Sequence, residues 1–461
     1  MMKGSDEKLH LAYLFLYEDS TQARRWGFPK EEDALEEIGR LKGRVKETLK
    51  DMKVELIGGH IIRSENDILL HYKEISSADA VLVFCLIAGP PPYSISLTKV
   101  YGRSLEALWA FNVPMILFVK ATEEQIYDGN LRIYPFVKEI EEMTRDRPNV
   151  WLVINDFSRV RRLLKVLKAV KDLKELKIIS FGPPAFMLGS YKAMRVIKEK
   201  IGTTIILFPY DVLVKEYKGI KEEEAAGMVS EFLFKAKGLD EMTREEANKE
   251  GVKSARLYLA LKRIMEKEGA SVVTINCYEG GLAALKEVTP CFALSKLNDE
   301  GFIGVCEADF PALIAMCLIR LLTGKPSFMA DVVIMPEKNW LILSHCSSPL
   351  RLTDGRNELP YRVTTHYETG TGITAKVEFK ENENVTVIAP SFDLSKALII
   401  KGSVVGNLEL PICRNQVIVK VSNATSLIEN YVGFHWVMVY GDHVEELEEA
   451  FTLMNIKSLI L

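Results

Sequence analysis

The strongest constraint on this fold lies between residues 302 and 326, where FIGVC, EAD, FPALIAMCLIRLLTG and KP follow one another directly. A strand from Phe302 to Cys306 is too apolar to keep one wet face, so it belongs inside a mostly parallel sheet covered on both sides. Glu307 and Asp309 then fall at its carboxyl end. Residues two apart point the same way on an extended chain, so both carboxylates aim at one spot if the strand persists that far. Asp309 also reads as an N-cap with Pro311 in the first helical turn, and Gly324 and Pro326 supply the left-handed stop and the breaker. Crevices outside strand carboxyl ends are where open α/β sheets bind ligands. The plainer assignment is that Asp309 only caps a helix and Glu307 only pairs with a base.

The rest of the chain is consistent with such a sheet. Short apolar runs rich in branched residues stand at His10–Tyr17, Val54–Ile62, Ala80–Leu86, Pro114–Val119 and Val150–Asn155, several of them separated by charged helical segments such as Glu31–Met52. This predicts a Rossmann-like domain over residues 1–172. The Gly89-Pro90-Pro91-Pro92 turn lacks GxGxxG spacing, and prolines have no N–H to cradle phosphate, so a nicotinamide cofactor is not indicated. A second α/β domain over 173–325 has strands at Lys177–Phe181, Thr203–Phe208, Ser271–Cys277 and Phe302–Cys306. Between its second and third strands lie helices near 221–236 and 243–268, the latter opened by a Thr243/Glu246 capping box. Beyond Gly324 the pattern changes to strand-turn-strand, predicting an antiparallel barrel-like domain over 326–461, with one late helix at Val444–Met454 and a short final strand. The fold class is therefore α/β, two Rossmann-like parallel-sheet domains followed by an antiparallel β-barrel-like domain.

Composition closes off several alternatives. At roughly 100–200 residues per domain, 461 residues make two to four domains. A net charge of −4, with 26% charged and 48% hydrophobic residues, gives no electrostatic reason to expect nucleic acid or an anionic membrane as partner. No run reaches the ~18 apolar residues of a spanning helix, and the N-terminus is too polar for a signal peptide, so a cytoplasmic enzyme is expected. The seven cysteines lack CxxC spacing and read as reduced core residues. Four of them, Cys277, Cys291, Cys306 and Cys346, fall near the expected site. His345 and Cys346 are neighbours, which on a strand would face opposite ways. Scarce glutamine beside abundant Lys and Glu leans toward a thermophile.

Four stretches, TPCFALSKLNDEGFIGVCEADFPALIAMCLIRLLTGKP, SFMADVV, LSHCSSPL and FHWVMVYGDHVEELEEAFTLMNIK, together resemble the L-fucose isomerase and L-arabinose isomerase superfamily, as does TTHYETGTGITAKV. The likeness covers roughly the last 190 residues well and the first 270 by architecture alone. It implies two Rossmann-like domains and a barrel, a homo-oligomer (trimer or hexamer) with sites near subunit boundaries, a small-molecule sugar substrate and a divalent cation, usually Mn²⁺. The implied chemistry is aldose-ketose isomerisation through an enediol. By position Asp309 matches a metal carboxylate of the fucose branch and His435 its metal-ligating histidine, while His345 and Asp331 lie on segments near which the arabinose branch places ligands. The second metal glutamate of the fucose branch falls near Cys291, where no acid stands, and its sugar-contacting asparagine is Phe434 here.

Isomerisation needs a base to move a proton between C1 and C2 and a cation to stabilise the charge on oxygen. Glu307 and Glu279, each just past a strand end, are the candidate proton carriers with Asp309, and Asp309, His435, Glu307 and His345 are the candidate metal ligands. Trp436 and Phe434 are candidate substrate contacts, with Tyr367 a further aromatic. For Glu279 the competing assignment is a surface turn residue, for His345 and His435 hydrogen-bonded barrel histidines, and for Trp436 a core aromatic. His366 and His443 read as surface residues. An alternative of another class is a superfamily member that has lost its metal site and binds carbohydrate or protein.

Overall fold

A computed structural model of the protein describes residues 7–17, 30–86, 97–120, 142, 149–185 and 190–461. The Gly89-Pro90-Pro91-Pro92 turn lies outside the described residues. The chain divides between Lys168 and Ala169 into two compact units.

The first unit is built on a parallel sheet in the order β2-β1-β3-β4-β5, from β1 (Leu9–Leu16), β2 (Val54–Ile62), β3 (Ala80–Leu86), β4 (Met115–Lys120) and β5 (Val150–Ile154). Every residue of the central β3 is buried, as its uninterrupted AVLVFCL run requires. After β1 comes α1 (Glu31–Leu49), which turns Ala34, Ile38, Leu41, Val45 and Leu49 inward at helical spacing. The β1–β2 register slips between Tyr13 and Leu14. There Gly59 holds φ +86°, and a Cβ on it would stand 2.5 Å from the Tyr13 hydroxyl, so only glycine fits.

In the second unit a parallel sheet runs in the order β7-β6-β8-β9, from β6 (Lys177–Phe181), β7 (Thr204–Phe208), β8 (Val272–Ile275) and β9 (Ile303–Cys306). Between β7 and β8 lie α2 (Glu222–Lys235) and α3 (Arg244–Glu268), and the Thr243/Glu246 capping box forms as expected. Next, α4 (Cys291–Asp299) lies against β9 so closely that a Cβ on Gly304 would stand 2.7 Å from the Leu294 carbonyl oxygen. Asn298 locks the pair by donating to the Gly304 carbonyl at 2.7 Å and the Leu294 carbonyl at 2.9 Å. We expect Gly304→Ala to push α4 off the sheet and lower stability by ~1–3 kcal/mol in urea unfolding, while Gly39→Ala, on α1 with nothing within 4 Å of its would-be Cβ, should not destabilise.

Past β9 comes α5 (Phe310–Thr323), nearly all buried, capped by Asp309 and stopped by Gly324 at φ +71°. The chain then makes β10 (Phe328–Met335), β11 (Trp340–His345), a separate ribbon of β12 (Tyr361–Thr364) and β13 (Thr374–Val377), then β14 (Asn384–Pro390), β15 (Lys396–Asn407), β16 (Asn415–Val421) and β17 (Trp436–Tyr440). The order β14-β17-β10-β11-β16-β15 closes on itself through antiparallel β14–β15 pairing, giving a six-stranded barrel. Closure leaves its strands without a free edge. A short helix at Ala424–Glu429 interrupts the expected run of strands, capped by the Asn423 side chain. The late helix, α6 (Val444–Leu453), is followed by β18 (Lys457–Ile460), which pairs parallel to β15 outside the ring. The fold class read from the sequence is the one observed.

Candidate active site

The parallel strand ends one residue before the first acid. Glu307 and Ala308 both take left-handed backbone, with φ +59° and +51°, a conformation that costs a non-glycine residue roughly 1–2 kcal/mol each. The turn is held from both sides: the Ala308 carbonyl accepts from the Ala185 N–H at 3.2 Å, and Asp309 Oδ1 accepts from the Ala312 N–H at 3.0 Å. In consequence the two acids do not aim at one spot by strand alternation. Glu307 lines a cavity of about 220 Å³, whereas Asp309 is buried beneath it. Successive left-handed residues of this kind concentrate at functional turns, and here the first of them, Glu307, faces the cavity.

With one oxygen capping α5, Asp309 uses the other on His435: Oδ2 lies 2.9 Å from Nδ1. The carboxylate fixes a proton on Nδ1, so that Nε2 is the nitrogen that carries the lone pair whenever the imidazole is neutral. That Nε2 is fully buried without a hydrogen-bond partner. It stands 3.7 Å from Glu307 Oε2 and 3.7 Å from Asp331 Oδ1, and His345 Nε2 stands 3.7 Å from Glu307 Oε1. These separations are too long for hydrogen bonds. Each of these pairs is near the roughly 3–4 Å that separates two atoms bound to one ion at about 2.0–2.2 Å, while the mutually close trio among the described residues here, with ligand atoms all within 4.8 Å, is Cys306, Glu307 and His345. On the far side of the His345 ring, Nδ1 accepts from the Ser347 N–H at 3.2 Å and lies 2.9 Å from the Ser347 hydroxyl, which holds the ring with Nε2 toward the cluster.

The barrel brings three of these four residues together. β10 lies between β17 and β11, with Ala330 opposite Trp436 and Asp331 opposite Ser344, so Asp331 and His345 sit on adjacent strands and His435 just before the third. The turn after β9 supplies the fourth, Glu307. Asp331 was legible only as part of a resembling segment, because its place beside His435 depends on strand pairing across about a hundred residues.

The charges in the cluster are mutually dependent. Burial works to raise the Glu307 pKa, but the neighbouring His345, with the positive charge of His435, overcomes it and holds the carboxyl down at about 2. Burial works to lower His345, and Glu307 overcomes it, raising the imidazole to about 9. His435 is likewise raised, against burial, by Asp309 and Glu307.

Other residues singled out from the sequence are placed differently. Glu279 lies in a turn after β8, where its carboxylate accepts from the Asn276 side chain at 2.6 Å, and it does not line the cavity. Trp436 is fully buried, its indole N–H bonded to the Val432 carbonyl at 3.0 Å, so it cannot stack on a ligand. Phe434 does line the cavity, with its ring edge-to-face on His435 at 4.6 Å. Cys291, His366 and Glu368 line it too. Tyr367 points elsewhere and donates to the Pro411 carbonyl at 2.6 Å, and His443 bonds the Tyr440 carbonyl. Because β11 stops at His345, strand alternation does not carry Cys346 to the opposite face, and both residues face the cavity.

The second unit, a parallel sheet and a closed barrel, carries this carboxylate-imidazole cluster where the end of β9 meets the barrel strands, within a chain of the α/β class. No known family profile matches the chain. Similarity to characterised proteins is nonetheless specific. Sulfoquinovose isomerases of Priestia aryabhattai and Priestia megaterium are each 26% identical over 293 residues, 60% of this chain and 62% of theirs. A sulfoquinovose isomerase of a Clostridium species is 24% identical over 212 residues, covering 44% of this chain and 47% of its own. The chain thus aligns with between about half and somewhat under two thirds of the length of these relatives. No described helix is long and apolar enough to cross a membrane.

Proposed function

We propose that this chain is an aldose-ketose sugar isomerase whose cavity holds a divalent cation on Glu307, Asp331, His345 and His435. One observation carries the reading: the buried, partnerless Nε2 of His435 faces two carboxylates and is oriented for ligation by Asp309 behind it. Two carboxylates and two imidazoles suit a hard to borderline ion such as Mn²⁺. The missing acid at Cys291 does not empty the site, because Asp331 supplies the second carboxylate. The sugar isomerase names of the aligned relatives support the same reaction class.

When bound, the cation stabilises negative charge developing on the sugar oxygens. Glu307, ionised throughout the physiological range, is the proton carrier, accepting the C2 proton of the aldose and delivering one to C1 of the enediol. Phe434, lining the cavity, excludes water beside it. Asp309 touches no substrate and acts through His435. The cavity is sized for a single sugar, and the same reading includes a homo-oligomer, trimer or hexamer, checkable by light scattering.

The test is isotopic. Manganese-loaded protein incubated in D₂O with a panel of pentoses, deoxyhexoses and sulfoquinovose, the last included because of the relatives' names, should form ketose and place solvent deuterium on carbon. Silence across the panel, with manganese bound, overturns the proposal.

Metal affinity should also depend on pH. The raised pKa of His345 means that metal-free protein holds an imidazolium near neutral pH, which must lose its proton before ligating. Manganese affinity should therefore climb with pH and level off near 9, with proton release seen calorimetrically in buffers of different ionisation heat. In the metal-free protein the His345–Glu307 pair stabilises the fold in the opposite sense on the alkaline side. Its histidine contribution is complete below about 6.5 and fades as pH rises through about 9, and its glutamate contribution, present above about 4.5, fades as pH falls toward about 2.

A further inference from the structure

Five of the seven cysteines, Cys277, Cys291, Cys306, Cys346 and Cys413, line the cavity that holds Glu307 and His345. The strands explain part of this concentration. β8 and β9 are neighbours in the parallel sheet, so Cys277, two residues past the end of β8, meets Cys306, the last residue of β9, and their Sγ atoms are 3.2 Å apart. Cys306 Sγ, a Glu307 carboxylate oxygen and a His345 ring nitrogen all lie within 4.8 Å of one another. One sulfur, one nitrogen and one oxygen, with a second sulfur alongside, is the donor mixture that tetrahedral d¹⁰ cations take, and thiolate ligands discriminate for such ions against manganese or magnesium.

We infer that the cavity contains a second, thiophilic cation site on Cys306, Glu307 and His345, with Cys277 as the added thiolate, which takes Zn²⁺-class ions. It goes beyond the isomerase reading, which uses neither thiol. Because both sites use Glu307 and His345, they cannot be filled together. A thiophilic ion therefore displaces manganese and is an inhibitor. Coordination exchanges each thiol proton for the metal and releases it to solvent, with no change of oxidation state.

Cadmium is the probe, because a sulfur-cadmium bond gives an ultraviolet charge-transfer band that oxygen and nitrogen ligands do not. Full-length, metal-stripped protein, kept reduced with a phosphine rather than a thiol, should develop this band and saturate at one equivalent of Cd²⁺. Cys306→Ser should lose the band, whereas Cys317→Ser, whose thiol lies on α5 and does not line the cavity, should keep it. Manganese binding to Cys306→Ser, followed by electron paramagnetic resonance, should stay within about threefold of the parent. On the unmutated protein, saturating Mn²⁺ should suppress the band, so the result does not depend on any variant folding. No band, a band that survives Cys306→Ser, or one indifferent to manganese overturns the inference. A manganese-competed cadmium band in a protein that isomerises no sugar would sink the isomerase reading alone.

Discussion

Glu307→Gln should lower kcat/KM for sugar isomerisation on the order of 10²–10⁴-fold, the usual worth of a positioned proton carrier, while the protein stays folded. Glutamine keeps the volume and the turn, so the left-handed residues at 307 and 308 and the cap at Asp309 are undisturbed. What it removes is the carboxylate charge that raises His345. The His345 imidazole should then titrate markedly lower, visible by NMR, with solvent deuterium exchange at C2 lost in parallel. A variant retaining more than a tenth of parental activity would exclude Glu307 as the carrier and move attention to Asp331.

Asp309→Ala should be the most damaging substitution to the fold among the site residues, for two separable reasons. It removes the only side-chain cap of α5, worth about 0.5–2 kcal/mol, and leaves the buried Nδ1–H of His435 without an acceptor, worth about 1–3 kcal/mol more. Manganese affinity should fall roughly 10–100-fold, as when the carboxylate behind a metal-bound histidine is lost. Asp309→Asn discriminates further. Asparagine has one acceptor oxygen for two donors, Ala312 N–H and His435 Nδ1–H, so it restores one contact and not both. Its stability and metal affinity should lie between parent and alanine. Urea unfolding and manganese titration on the same preparations check both numbers, and an Asp309→Ala protein as stable as the parent would contradict the cap and the histidine bond together.

Most of the architecture was legible because it rests on local signals. The AVLVFCL and FIGVC runs have no polar side to show water, the Thr243/Glu246 box announces α3, and Asp309, Pro311 and Gly324 bracket α5. What escaped depends on contacts distant in sequence or on where a strand stops. Asp331 is ordinary in its own segment and becomes part of the cluster only because β10 lies between β17 and β11. Glu279 and Glu307 look alike, each an acid after a buried strand, but Asn276 holds the first back in its own turn. Trp436 next to His435 suggested a sugar platform, and strand alternation sends the indole the other way, into the core. The outward reading of Glu307 with Asp309 failed for a single reason, since it needed two more extended residues than β9 has.

The closed ring of the barrel has a bearing on how the site comes apart. His435, Asp331 and His345 sit on or beside three interlocked strands, so their backbones can separate only if the ring itself opens, whereas Glu307 rides on one strained turn held by a bond to Ala185 and a helix cap. Amide exchange should divide accordingly, with the strand amides around Asp331 and His345 protected to the full unfolding free energy and the Ala308 to Ala312 turn released by small local excursions. Evolution could then retune the chemistry by editing one hinge against an unyielding frame.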